Sequence, residues 1–260
     1  MIRRRDLMLS ALAVAAAGAR ADDAPGFARA AFDAKTLPQL LKALDLPAPT
    51  VSADVQLQVP ELFEDGGVVP VTLGCALPGV QRLLLGVERN PTLLSAIFEP
   101  GDAIEPQILV RLKLQETSPV LALVVLKDGR VLMARREVKI TLGGCGGAGV
   151  DPEPPRPPQP TLIRVQPSPG GVATVRALMK HEMESGQRKD GSGRTIPAWH
   201  IQQVVARLNG QPVLTAQWGT AVSRNPFLQF GLRGAKAGDK LSLAWVDNRG
   251  ATRSDETVVG

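Results

Sequence analysis

Between residues 151 and 160 the chain reads Asp-Pro-Glu-Pro-Pro-Arg-Pro-Pro-Gln-Pro, and no other stretch restricts the fold as much. Proline lacks a backbone N–H and fixes φ, so such a run continues neither a helix nor a central strand. It is expected to be an extended spacer rising ~3.1 Å per residue, about 30 Å in all. The spacer divides the chain into residues 22–150 and residues 161–260, each of ordinary domain size.

The first 21 residues stand apart. Arg3, Arg4 and Arg5 precede an apolar run from Leu7 to Ala17 broken by Ser10, and Ala19-Arg20-Ala21 follows. A basic start, a short apolar core and a small-x-small site predict an export signal cleaved after Ala21. The run is far short of the ~20 residues needed to span a bilayer. Arg4-Arg5-Asp6-Leu7-Met8 is similar to the twin-arginine type, with Arg in place of the usual Ser or Thr ahead of the pair. The expected location is the bacterial periplasm.

Both halves read as short strands. In the first, Leu37, Leu40, Leu41 and Leu44 follow helical spacing and Pro47 ends that helix. Alternation then marks Val55-Leu57-Val59, Val69 to Cys75 and Ile108 to Leu114, and Pro119–Leu126 is a continuous apolar run. Asp128-Gly129 is a hairpin turn. In the second, Val175-Ala177-Met179 and Leu241-Leu243-Trp245 alternate, Asn209-Gly210 turns a hairpin and Asn248-Arg249-Gly250 precedes the last strand. Regular short strands predict an all-β chain of two Ig-like antiparallel sandwiches, the first opened by a short helix.

Charge narrows the function. Without the signal the net charge falls from +5 to +2, and aromatic residues are 3% with no Tyr, so neither phosphate neutralisation nor base stacking argues for nucleic acid. Residues 22–150 carry net −3 and residues 151–260 net +5, a balance that favours docking of the halves. No Ser-His-Asp set, dinucleotide fingerprint or His-Glu-x-x-His motif is present. His181 and His200, with Glu182 and Glu184 nearby, lack a recognised zinc spacing and read as structural or interface residues. Gln187–Pro197 reads as a surface loop. Neither a catalytic set, a metal site nor a bound cofactor is expected.

One segment carries chemistry. After Val138-Lys139-Ile140-Thr141-Leu142 comes Gly143-Gly144-Cys145-Gly146-Gly147. Glycine has no Cβ to shield the thiol or restrict the backbone, so Cys145 sits on an open, flexible arm. Phosphate binding is excluded, because Ala148-Gly149-Val150 follow where a P-loop needs Lys and Ser or Thr. An inert linker is the alternative; a Cys centred between two Gly pairs favours a covalent carrier. Cys75 continues the Val69, Val71, Leu73 alternation, so it is expected in the core and unpaired with Cys145.

Specific residues then point to a family. Pro60-Glu61-Leu62-Phe63-Glu64-Asp65-Gly66-Gly67-Val68-Val69-Pro70-Val71, the turn Glu88-Arg89-Asn90-Pro91 and the Val138–Gly147 end resemble SoxY. Leu178 to Gly186, Ala216-Gln217-Trp218-Gly219, Ser223-Arg224-Asn225-Pro226-Phe227 and Trp245-Val246-Asp247 resemble SoxZ. The two are subunits of a sulfur-oxidising carrier complex. The resemblance implies a carrier and not an enzyme. Cys145 matches the residue that takes up thiosulfate oxidatively at a SoxXA-like haem enzyme, for later work by a SoxB-like hydrolase and a SoxCD-like dehydrogenase. Here the arm continues into the spacer, so it is anchored at both ends. Fused proteins of this kind are also associated with quinoprotein dehydrogenases, which is the runner-up; a two-domain interaction module without a carrier role is the third reading.

Overall fold

The computed structural model describes residues 26–143, 157–168 and 170–260; the signal-like residues 1–21 and spacer residues 151–156 lie outside them. Two short helices come first, α1 (Arg29–Phe32) and α2 (Leu37–Ala43). The leucine spacing marks α2. Thr36 caps it by accepting from the Gln39 N–H at 3.4 Å, and Asp45, at φ 52°, stops it before Pro47. α1 escapes periodicity because four residues are barely one turn. No helix among the described residues is long and apolar enough to cross a membrane.

The first half continues as β1 (Thr50–Val51), β2 (Val55–Gln58), β3 (Leu62–Asp65), β4 (Val69–Cys75), β5 (Val80–Val87), β6 (Leu94–Pro100), β7 (Ile104–Leu112), β8 (Ser118–Leu126) and β9 (Val131–Leu142). The second half supplies β10 (Leu162–Gln166), β11 (Val172–Leu178), β12 (Ile201–Leu208), β13 (Gln211–Trp218), β14 (Phe227–Arg233), β15 (Lys240–Asp247) and β16 (Thr252–Val258). The predicted hairpins form, with left-handed turn residues at Gly129 (φ 88°), Asn209 (φ 50°) and Gly210 (φ 83°).

Two sheets face each other. The larger runs β1-β9-β8-β5-β6-β13-β12-β15-β16 with β3 also on β9; the smaller runs β10-β11-β14-β7-β4-β2. Each half is a sandwich, and the two are joined edge to edge in both layers. β6 pairs antiparallel with β13, from Ala96↔Trp218 to Pro100↔Leu214. β7 pairs with β14, including Ile108↔Phe230 and Val110↔Leu228. One apolar core crosses the junction, with Phe98, Val110, Trp218 and Phe230 at most 2% exposed.

Strand pairing, not net charge, therefore joins the halves. The ion pair Arg233–Glu105 spans the junction at 3.6 Å, but its side chains are 49% and 39% exposed, and such pairs contribute little. Lys113 does more. It is buried, and its Nζ donates to the carbonyls of Met183 and, at 2.8 Å, Thr220 in the other half. Removing a buried donor leaves its acceptors unpaired, a cost of about 1–3 kcal/mol.

β8 shows why one strand reads as continuously apolar. All nine of its residues are buried. Val120, Ala122, Val124 and Leu126 face the central core, while Leu121, Leu123 and Val125 lie under the helices with Phe32 and Leu40. The helices cover the outer sheet face, so alternation is lost.

The registers fix two poles. β9, β7, β11, β13 and β15 end at one pole, where β8, β14, β12, β10 and β16 begin. The chain thus leaves the first half after Leu142 and rejoins the second before Leu162 at the same pole. Cys75, the last residue of β4, lies at the other.

Candidate functional site

The site begins where β9 outruns its neighbour. β9 pairs with β8 as far as Val138↔Ser118. Its last residues pair in parallel with β3 instead, Lys139↔Leu62, Ile140↔Phe63 and Leu142↔Asp65. Ile140 and Phe63 pack against the core. The Thr117 hydroxyl accepts from the Ile140 N–H at 3.1 Å, and the Thr141 hydroxyl donates to the Glu64 carbonyl at 3.1 Å. This strand end is held on both sides.

Two glycines permit that grip. The Gly66 N–H donates to the Leu142 carbonyl at 2.8 Å, and the Gly66 carbonyl accepts from the Leu114 N–H at 2.7 Å. A Cβ on Gly66 would lie 2.6 Å from Ile140 Cδ1 and from the Leu114 oxygen, and 2.8 Å from the Leu142 oxygen. A Cβ on Gly143 would collide with the Gln115 carbonyl. The need at both positions is for close backbone approach.

Gln115 is itself fixed. Its N–H donates to Asn90 Oδ1 at 3.0 Å, and Asn90 Nδ2 donates to the Lys113 carbonyl at 2.7 Å. The Lys113 side chain then bonds the second half. A continuous hydrogen-bonded path thus runs from Gly143's neighbour into the second half. Asn90, marked in the sequence only as part of a turn, is a staple for the segment that backs the arm's root. Thr117 and Lys113 carry no motif that singles them out, because their partners lie 23 to 107 residues away.

Of the expected arm, Gly143 is described and exposed; Cys145, Gly144, Gly146 and Gly147 lie outside the described residues.

The second half completes the pole with a buried polar cluster. His181 Nδ1 accepts from the Met183 N–H at 3.0 Å, which places the neutral ring's proton on Nε2, 3.3 Å from Asp247 Oδ2. Trp199 Nε1 donates to the same oxygen at 2.6 Å. Burial raises the Asp247 carboxyl, while the bonds from His181, Trp199 and two backbone N–H groups pull it lower, with a net lowering. His200 is also buried, and desolvation, helped by the nearby Lys113 and Arg29 cations, drops it to about 4. Both histidines are built into the fold, as their sparse spacing suggested. Among the described residues no group of three or more His, Cys, Asp or Glu is placed to hold a metal.

Cys75 has a different setting. It is free and 8% exposed. Burial pushes its thiol up, opposed by a hydrogen bond from the Leu77 backbone and reinforced by Asp54. It pairs with Val55 on β2, one residue past the Gly74↔Gln107 pair with β7, which runs toward the opposite pole. The strand rise puts the poles on the order of 20 Å apart, whereas disulfide Cα atoms lie within about 7 Å.

Comparison with known proteins agrees with the two-part reading. Residues 42–145 match the family model of sulfur oxidation protein SoxY, and residues 163–258 match that of sulphur oxidation protein SoxZ. Among curated proteins none matches. A solved sulfur carrier protein SoxY from Chlorobium limicola f thiosulfatophilum is 26% identical over 39% of this chain and 93% of its own, with a TM-score of 0.35. A superoxide reductase (neelaredoxin) from Ignicoccus hospitalis is 22% identical over 33% of this chain and 79% of its own, at 0.30. A marsupial T cell receptor is 8% identical over 79% and 98%, at 0.25. TM-scores this low bear no functional weight.

Proposed function

Because this chain joins a SoxY part and a SoxZ part of the sulfur oxidation carrier family in one polypeptide, we propose that it holds sulfur intermediates covalently on Cys145 and presents them to separate enzymes. The observation that carries this is the pinned root. β9 is gripped through Leu142, Gly143 lies against the Gln115 carbonyl, and a thiol between two Gly pairs follows at once. A rigid base with an unshielded thiol at its tip suits presentation to other proteins.

The chemistry balances with thiosulfate as the load. The Cys145 thiolate and the outer sulfur of thiosulfate form an S–S bond, and two electrons pass to the haem iron of a SoxXA-like enzyme and on to its acceptor. Hydrolysis by a SoxB-like enzyme breaks the bond between that sulfur and the sulfonate. Water supplies the oxygen, sulfate leaves with two protons released, and a persulfide anion remains on Cys145 for a SoxCD-like dehydrogenase. This chain supplies the thiolate and the geometry, and the partners supply the metals and activated water. The export signal expected in residues 1–21 supports a periplasmic setting, where those partners work.

The test is peptide mass mapping after incubation with thiosulfate, the haem enzyme and its electron acceptor. The expected result is a thiosulfonate adduct on Cys145 and complete loss of carrier turnover in Cys145→Ser with the fold retained. Adducts confined to Cys75, or none on either thiol, overturn the reading.

A further inference from the structure

The spacer's far end is held where it meets the second half. Thr161 is buried, and its N–H donates to Asp255 Oδ2 at 2.7 Å. Arg253 Nη1 donates to the Pro158 carbonyl at 3.3 Å. Arg253 and Asp255 are themselves paired at 2.6 Å. One edge strand, β16, therefore binds both a carbonyl and an N–H of the incoming chain.

Beside this clamp lies a cleft of about 270 Å³. Pro157, Pro158 and Gln159 line it together with Trp199, Trp245 and Arg224. The Trp199 indole is fixed through Nε1 to Asp247 and by the Arg249 guanidinium 4.6 Å over its ring. Trp245 is 4% exposed and packs edge-on against His181 at 5.7 Å. Fixed indoles next to a carbonyl-binding Arg are what an extended proline segment recognises: its rings lie on aromatic faces, and its carbonyls have no internal partners.

We propose that this cleft is a docking groove for extended proline-rich chain and that its resident occupant is the protein's own spacer, seated through Pro157–Gln159. The groove fixes the second anchor of the arm at the same pole as the first, whatever load the thiol carries. Thirteen residues, 144–156, then link two fixed points.

The experiment replaces the seated residues in the full chain at unchanged length: Pro157→Gly with Pro158→Ser and Gln159→Gly. Tryptophan emission is the readout, since Trp199 and Trp245 line the groove and Trp218 is fully buried elsewhere. The expected result is a red shift, reversed saturably by a synthetic peptide of residues 151–161. A tether supplies an effective concentration on the order of millimolar, so the titration extends to that range, with a Gly/Ser peptide of equal length as control. Arg253→Gln, which leaves the spacer sequence intact, is expected to give a smaller red shift. Unchanged emission in both variants overturns the proposal. So does emission restored by thiosulfate or sulfate but not by the proline peptide. Neither result depends on sulfur transfer, so failure here is separable from failure of the carrier reading.

Discussion

The two poles of the molecule treat a thiol in opposite ways. At one, Cys75 ends a core strand, is 8% exposed and has its ionisation suppressed by burial. At the other, a strand is pinned through Leu142, and a Cys follows three residues later in sequence between two Gly pairs. The residue type is the same. The two differ in sequence setting: Cys75 falls in an apolar alternation, Cys145 in a run of glycines. The contrast also separates bonding from exposure, because the exposed end of β9 is hydrogen-bonded on both sides.

The sharpest way to break this contrast is to label both thiols in the native state. Cys145 is expected to react at the rate of an open thiol, faster as pH rises toward its pKa, because the thiolate is the nucleophile. Cys75 requires local opening; if that costs about 3 kcal/mol, labelling slows about a hundredfold. Mass mapping over time gives both rates. Equal rates would mean that the Cys75 pole is not closed.

Acid probes the arm pole next. His200 has an ordinary value of 6.5 and is held to about 4 in the fold. Above pH 6.5 it is neutral in both states, and the fold loses nothing. As pH falls from 6.5 to 4 the unfolded chain takes up a proton that the folded chain refuses, so stability falls, by about 3 kcal/mol at most. Denaturant midpoints across that window should drop in the native sequence and less in His200→Phe. Parallel curves would refute the assignment.

The grip on β9 gives a somewhat smaller effect. Gly66→Ala forces a methyl against Ile140 and two carbonyl oxygens, and overpacking of this kind costs about 1–3 kcal/mol. Chemical denaturation should show that loss, whereas Gly129→Ala, in an open turn with no neighbour within 4 Å, should show only the strain of its left-handed φ.

The junction supplies the last comparison. Lys113→Met, near the arm pole, removes a buried donor to two carbonyls of the other half and should destabilise the fold by about 1–3 kcal/mol. Arg233→Ala, near the Cys75 pole, removes an exposed pair and should leave the unfolding midpoint unchanged within error. Similar losses in both variants would mean that charge holds the halves after all.

Most of the secondary structure was legible because it is local. Alternation in β4, β7, β11 and β15, the Asp128-Gly129 and Asn209-Gly210 turns and the leucine spacing of α2 each lie within a few neighbouring residues. The burial of Cys75 followed from its parity with Leu73, and the Gly frame of Cys145 needs no partner to be recognised. The residues that make the arm's root were not legible. Gly66, Asn90, Gln115 and Thr117 meet β9 only through pairings across many residues, and the sequence carries no sign of such distances.

By itself, then, the sequence determined an all-β chain in two parts, a proline-rich run that cannot continue strand or helix, and one Cys set between two Gly pairs. Tertiary structure decided that the two parts share both sheets, since strand edges have backbone donors and acceptors but no sequence label for their partner. It decided that Lys113 reaches across the junction and that Gly143 stands at the same pole where the spacer rejoins the second half. These follow from register, which is set by how one buried face fits another.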